Sequence, residues 1–355
     1  MSEPVAGPVL VVGSGLLGAS IGLALTRAGV EVWLDDVDTD ALAEAVARGA
    51  GRAWDEQGEP ALVVVAVPPA SAGGVMADAM RFSRATVTDV TSVKSAPLQA
   101  AVQSGAEPRR LVGGHPMAGR EFSGPSAARM DLFDDRPWVV TALPESDPDR
   151  VRQVIELATT CGAVPFVMDP VEHDEAVALT SHAPQLISSL LAARLIEADA
   201  QAVSVSGQGL RDMTRIAESE PGLWREILAA NAASVADVLE AFVADMGRVV
   251  TDLRSGDGSE VAVALSRGVE GRERVPGKHG DEATAYDVVT AIVKDEPGEL
   301  ARLFVAAGEL DVNLEDVRID HVLGRPSGLI ELSVRPEVSQ RLRDGLVGLG
   351  FDVRD

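Results

Sequence analysis

Over its first 170 residues the chain alternates between short apolar, β-branched runs and segments with helical spacing of apolar positions. The runs Val9–Val12, Val30–Leu34, Leu62–Val67, Thr86–Val90, Leu111–Gly113, Trp138–Thr141 and Val164–Val167 are short and apolar, which predicts buried strands. Gly15–Arg27 and Asp40–Arg48 carry helical patterns between them. Strands alternating with helices predict an α/β Rossmann-like domain, with parallel pairing and ligands beyond the carboxyl ends of the strands. From about Pro170 to Arg254 the strand signal disappears. Glu172–Ala202, Leu210–Ser219 and Gly222–Leu253 are rich in Ala and Leu and predict an all-α helical domain, with Gly207-Gln-Gly209 as a break.

Residues 255–284 are polar, and Gly256, Gly258, Gly268, Gly271, Pro276, Gly277 and Gly280 predict a linker there. The tail changes character again. Val288–Val293, Val312–Ile319, Leu329–Val334 and Phe351–Val353 read as strands, with helices at Pro297–Ala307 and Glu337–Leu349. That order, β-α-β-β-α-β, is ferredoxin-like. The expected division is 1–169, 170–254, 255–284 and 285–355.

Composition narrows the function classes. A length of 355 residues accommodates two or three domains, and 46% hydrophobic with 24% charged residues is globular usage. A formal net charge of −24 argues against nucleic acid and anionic membrane partners. Only three lysines occur (Lys94, Lys278, Lys294), so arginine carries most positive charge. Cys161 is the single cysteine, which excludes an intrachain disulfide and fits a cytoplasmic protein. Pro4 to Thr26 is uncharged, yet Glu3 and four interrupting glycines argue against a targeting segment or membrane helix.

Gly13-Ser14-Gly15-Leu16-Leu17-Gly18 follows a predicted strand and opens a predicted helix. In that context Gly13 allows the tight turn, Gly15 lets backbone approach a pyrophosphate, and Gly18 permits close helix–strand packing. The helix N-terminus offers free N–H groups to phosphate. Asp36, eighteen residues past Gly18, ends the second strand, where an acid accepts from ribose hydroxyls. Asp35 and Asp38 add negative charge that would repel a 2′-phosphate, so NAD is expected over NADP. Val67, ending the third predicted strand, and Ser92 complete the expected cofactor surface.

Three further segments carry candidate chemistry. His115 follows a predicted strand within Gly114-His-Pro-Met-Ala-Gly119 and would act as a base at the ligand end of the sheet. In Thr88-Asp-Val-Thr-Ser-Val-Lys94, Ser92 would bind a substrate hydroxyl and Lys94 would add positive charge near phosphates or substrate, unless the segment is a plain helix cap. Arg211 and Arg215 lie four apart, either as a solvated helix face eased by Glu218 or as a carboxylate clamp. His173 and His182 are nine apart, so on one helix they would face opposite sides, and a metal pair is not expected. His182 would line the cleft.

In this order, Gly13-Ser-Gly-Leu-Leu-Gly-Ala-Ser20, Thr88–Lys94, His115-Pro-Met-Ala-Gly-Arg-Glu-Phe-Ser-Gly124, His173-Asp174, Ser181-His-Ala-Pro184, Leu210-Arg-Asp-Met-Thr-Arg-Ile-Ala217 and Trp224-Arg225 resemble the prephenate/arogenate dehydrogenase family of tyrosine biosynthesis. The tail, with Asp295-Glu-Pro-Gly-Glu-Leu300 and Asn313, resembles an ACT domain, a regulatory amino-acid-binding module. The resemblance implies NAD-dependent oxidation of the 4-hydroxyl of prephenate, with loss of CO2. It implies His115 as base, Ser92 on the hydroxyl, Arg215 on a substrate carboxylate, Arg211 and Asp212 as support, and Glu121 as a gate. It also implies a homodimer formed through the helical domain. Asp295, Gly298, Asn313 and Leu314 are expected to hold an amino-acid effector, tyrosine, between two such tails, unless the tail is plain dimer glue without ligand.

One residue departs from the family pattern. Many members read Ser-His-x-Pro-His, and here the last position is Gln185, so both prephenate and arogenate stay open as substrates. A rival hydroxyacid dehydrogenase would need a lysine in the helical domain, and none lies between Pro170 and Arg254. A non-catalytic NAD or amino-acid sensor would not need His115 with the two arginines.

Overall fold

A computed structural model describes residues 4–119, 124–275, 286–321 and 327–354. Its strands are β1 Val9–Val12, β2 Val32–Asp35, β3 Arg52–Ala53, β4 Leu62–Val65, β5 Thr86–Asp89, β6 Leu111–Pro116, β7 Pro137–Ala142 and β8 Val164–Met168. They form one sheet in the order β3-β2-β1-β4-β5-β6-β7-β8. Pairing is parallel from β3 to β6 and between β7 and β8, and antiparallel between β6 and β7. The order reverses between β1 and β4, which opens the crevice where such sheets bind ligands.

Alternation along the strands builds two cores. Val9, Val11, Leu62 and Val64 face one helical layer, and Leu10, Val63 and Val65 face the other. The covering helices are α1 Leu16–Arg27, α2 Thr39–Ala47, α3 Pro69–Asp78, α4 Ser95–Gln103 and α5 Pro148–Thr160. Cys161 is fully buried, and burial pushes its thiol up to about 12, as suits a structural residue.

Beyond β8 come α6 Pro170–Val177, α7 Ala183–Arg194, α8 Ala200–Ser204, α9 Gln208–Thr214, α10 Pro221–Ala230, α11 Ala232–Ser255 and α12 Ser259–Glu273. The single helix expected over Glu172–Ala202 is therefore divided. A five-residue π-helical turn, Ala178–His182, separates α6 from α7. Pro184 explains it, because proline has no N–H to return to the preceding turn. The helix expected over Gly222–Leu253 bends by 94° between α10 and α11. No single helix among the described residues is long and apolar enough to cross a membrane.

The expected linker over 255–284 needs correction in its first part, since Ser259–Glu273 is helical, while 276–284 lie outside the described residues. Two glycines inside a helix cost about 1 kcal/mol each, which its Ala, Val, Leu, Glu and Arg residues offset. Buried Asp252 fixes the start of α12 by accepting from the N–H groups of Gly258 and Val261 at 3.0 Å each.

Two compact units emerge, residues 1–243 and 244–355. In the second, β9 Asp287–Lys294, α13 Glu299–Glu309, β10 Asp316–His321, β11 Ser327–Val334, α14 Pro336–Gly348 and β12 Asp352–Arg354 give the βαββαβ order. Their antiparallel sheet runs β10-β11-β9-β12, the ferredoxin-like arrangement, over a core including Val289, Leu303, Leu332 and Leu346.

Candidate active site

The turn between β1 and α1 is built for close backbone approach. Gly13 has φ +101°, and a Cβ there would lie 2.4 Å from the carbonyl oxygen of Ala66 and 3.2 Å from Val67. A Cβ on Gly18 would lie 1.8 Å from the carbonyl oxygen of Gly13, so helix and turn meet without a side chain between them. At Gly15, the residue that begins α1, a Cβ would meet nothing within 4 Å. That open space, facing helix N–H groups that no side chain caps, fits a pyrophosphate. Asp36 reaches the same turn from β2. Its carboxylate accepts from the Ser14 N–H at 2.5 Å and the Asp38 N–H at 2.8 Å. Leu16 and Leu17, half-buried, open the helix. The expected cofactor residues thus converge on one crevice.

His115 lies inside β6, opposite Val139 of β7, rather than in a loop after the strand. The antiparallel β7 extends the pairing beyond Gly113, where the sequence pattern ends. Its Nδ1 stands 2.8 Å from Nε2 of His173 on α6, with the rings edge-on at 73°. Nδ1 of His173 in turn stands 2.8 Å from Oδ1 of Asp174. Asp174 also accepts from the backbone N–H groups of Lys94 and Ser95, each at 2.8 Å, and so caps the first turn of α4. The cap that sequence places on a local Ser or Thr comes instead from another helix.

Charge is arranged with equal care. Lys94 is fully buried, and its Nζ contacts Oδ2 of Asp89 and the carbonyl oxygen of Gly114. It therefore braces the strand that carries His115 and does not project toward phosphate or substrate, contrary to the expectation from sequence. Burial lowers the pKa of Lys94, against the pull of Asp89. Burial, then His173, Lys94 and His182, hold His115 well below the ordinary histidine range. Burial works to raise Asp174, but His173 and the α4 N-terminus keep it below its ordinary value. His115 is thus neutral and Asp174 ionised at neutral pH.

His182, at the end of the π turn, is 1% exposed, and burial brings it down to about 4. Buried Asn231, at the α10–α11 bend, donates through Nδ2 to the Asp174 carbonyl oxygen at 2.7 Å and to Nδ1 of His182 at 3.1 Å. This leaves Nε2 of His182 as the N–H donor. The π turn alters the phase of the helix, so His173 and His182 join one network instead of facing apart. Trp224 packs edge-on against His182 at 6.0 Å. Gln185 is buried and donates from Nε2 to the carbonyl oxygen of Ile216 at 2.9 Å, which ties α7 to the turn carrying Arg215.

The remaining expected residues are placed less tightly. Ser92 is half-buried in the turn ahead of α4. Arg211 and Arg215 are exposed and make no ion pair among the described residues, while Asp212 accepts from Gln208 at 2.9 Å. Glu121 lies outside the described residues. In the tail, Asp295 and Gly298 follow β9, whereas Asn313 and Leu314 precede β10, which runs in the same direction. The register places these two pairs at opposite ends of the sheet, so one copy of the tail does not gather all four. Asn313 instead bonds Glu315 at 3.1 Å. Sequence reasoning missed the parts played by Asp89 and Asn231. The only available signals were a charged residue ending an apolar strand and a polar one interrupting an apolar helix.

Comparison with known proteins agrees with this geometry. Residues 21–167 match the family model of the prephenate dehydrogenase nucleotide-binding domain, and residues 169–267 match that of the prephenate dehydrogenase dimerization domain. The "Probable prephenate dehydrogenase NovF" of Streptomyces niveus is 37% identical over 347 residues, covering 94% of this chain and 95% of its own. Prephenate dehydrogenase of Bacillus subtilis is 25% identical over 343 residues, covering 93% of this chain and 92% of its own. Among solved structures, prephenate dehydrogenase of A. aeolicus in complex with hydroxyphenyl propionate and NAD+ superposes with a TM-score of 0.67 at 26% identity, covering 75% of this chain and 97% of that one. With matches to both domain models and 37% identity over 94% of its length to one relative, the chain belongs to the prephenate dehydrogenase family.

Proposed function

We propose that the protein catalyses the NAD-dependent oxidative decarboxylation of prephenate to 4-hydroxyphenylpyruvate, with His115 as the base. The observation that carries this reading is a neutral histidine, 8% exposed, held on β6 near the carboxyl end of a dinucleotide-binding sheet. Bound NAD supplies the acceptor for the hydride leaving C4. His115 takes the hydroxyl proton as that bond breaks, and Ser92 holds the hydroxyl in line. The ring carboxylate then departs as CO2, its bonding pair enters the ring, and the phenolate oxygen takes the proton back from His115. Arg215 binds a substrate carboxylate, supported by Arg211 and Asp212, with His182 and Gln185 toward the side chain and Glu121 as gate. A placed general base contributes about 10²–10⁴ in rate.

A second reading, arogenate as substrate, draws on Gln185. One of its two Nε2 hydrogens goes to the Ile216 carbonyl, which leaves the amide oxygen to accept from an ammonium as well as a second hydrogen to meet a keto oxygen. The ferredoxin-like tail supports an ACT-type regulatory role with tyrosine as effector, and the dimerization-domain match supports a homodimer. Cytoplasmic location suits a single reduced, buried cysteine.

The test follows NADH absorbance with NAD and either prephenate or arogenate, beside a His115→Asn variant. Turnover of prephenate that is lost in the variant is expected. Turnover of neither substrate overturns the reading, and full activity in the variant removes His115 as base. Adding tyrosine to the active enzyme should lower the rate, and an unchanged rate excludes that effector.

A further inference from the structure

His115, His173 and Asp174 form a continuous chain of two hydrogen bonds, 2.8 Å each, in a site where His173 is completely buried and Asp174 nearly so. The protons in it can be placed by elimination. An ionised carboxylate only accepts, so Nδ1 of His173 donates to Asp174. With its ring proton on Nδ1, His173 turns a bare Nε2 toward His115. The hydrogen on the 2.8 Å contact must therefore come from Nδ1 of His115, and Nε2 of His115 is left unprotonated.

We propose that His173, backed by Asp174, is a positioning residue that locks His115 as its Nδ1–H tautomer and so creates the free Nε2 that serves as base. This rests on the reading of His115 as the base. His173 touches neither substrate nor cofactor in this scheme, and acts through the imidazole it holds. Asp174 is itself fixed by three anchors: the Lys94 and Ser95 N–H groups on its carboxylate and Asn231 on its carbonyl oxygen. The α4 N-terminus favours its negative charge. When Nε2 takes the hydroxyl proton, the imidazolium keeps its Nδ1–H bond to His173, and the Asp174 carboxylate lies one ring further on. The other charged or titratable groups facing this chain are Lys94, already paired with Asp89, and His182, joined through Asn231.

Two measurements test the proposal on the intact protein. Imidazole nitrogen NMR at neutral pH should show His115 protonated on Nδ1, and an Nε2–H tautomer would overturn the assignment. In kinetics, His173→Leu should lower kcat about 10–100-fold with the KM for prephenate and NAD changed only a few-fold, as for loss of an orienting partner. His173→Gln, whose amide oxygen can accept the same hydrogen, should recover much of that loss. Asp174→Asn removes a negative charge that favours the imidazolium, so the acidic limb of the kcat–pH profile should move to lower pH. Circular dichroism and thermal midpoints confirm that each variant is folded, and His173→Gln keeps the comparison alive if His173→Leu does not fold. A His115→Asn enzyme that is inactive while His173→Leu matches wild type in kcat and pH profile would sink the positioning role alone. Activity surviving in His115→Asn would instead remove the base on which it rests.

Discussion

Gly15 and Gly18 look alike in the motif but do different things. A Cβ at Gly18 would press to 1.8 Å from the Gly13 carbonyl oxygen, whereas one at Gly15 meets only open space. Gly18→Ala should therefore destabilise the fold by about 1–3 kcal/mol, the usual cost of overpacking. Gly15→Ala should leave the thermal midpoint unchanged while raising the KM for NAD roughly tenfold, about 1.4 kcal/mol of binding. Thermal melts and NAD kinetics on the two variants check both statements, and a destabilised Gly15→Ala would show that the space is not reserved for ligand. The glycine turn and the place of Asp36 beside it were legible because both follow from local backbone, whereas His115, expected in a loop after its strand, stands inside β6. Nor was Lys94 legible, since nothing in its neighbours tells whether its ammonium turns out to phosphate or inward to Asp89, 80 residues from its second carboxylate neighbour Asp174.

Element by element, periodicity recovered most strands and helices and lost the breaks. The π turn before Pro184 and the 94° bend at Asn231 interrupt apolar patterns that read as continuous: the first follows from a proline inside a helical pattern, and the second sits at a residue whose side chain bonds the distant Asp174 carbonyl. These breaks are also where the histidine network is assembled, with Asn231 bonding His182 and the Asp174 carbonyl. The glycine-rich segment misled in the other direction. Its helix α12 is started by Asp252, a carboxylate at the end of α11 that reaches across the turn and takes the place of a cap at the N-cap residue itself. Asp252→Ala should lower stability by about 1 kcal/mol, the usual value of such a cap. A denaturant midpoint read by helical circular dichroism checks it, and no change would mean that α12 depends on its packing alone.

For the molecule as a whole, the two units carry separate cores: Val9, Leu62 and Trp138 with their neighbours in one, Val289, Leu332 and Leu346 in the other. Calorimetry of the full chain should resolve two transitions, and residues 286–355 alone should melt cooperatively; one transition coincident by every probe would show the units to be coupled. The net charge of −24 makes the local balance at the crevice more telling, since the helix dipole of α1 and the arginines, not lysine, must attract the anionic ligands. His115 stands on an interior strand of an eight-stranded sheet, bonded between β5 and β7. Arg211, Asp212 and Arg215, by contrast, are exposed on short helical segments of seven and four residues. On the proposed roles, the base and the carboxylate-binding residues thus sit on parts of very different burial. In laboratory evolution the second can be randomised for new substrates while the first, too deeply woven into the sheet to drift, goes on delivering the same chemistry.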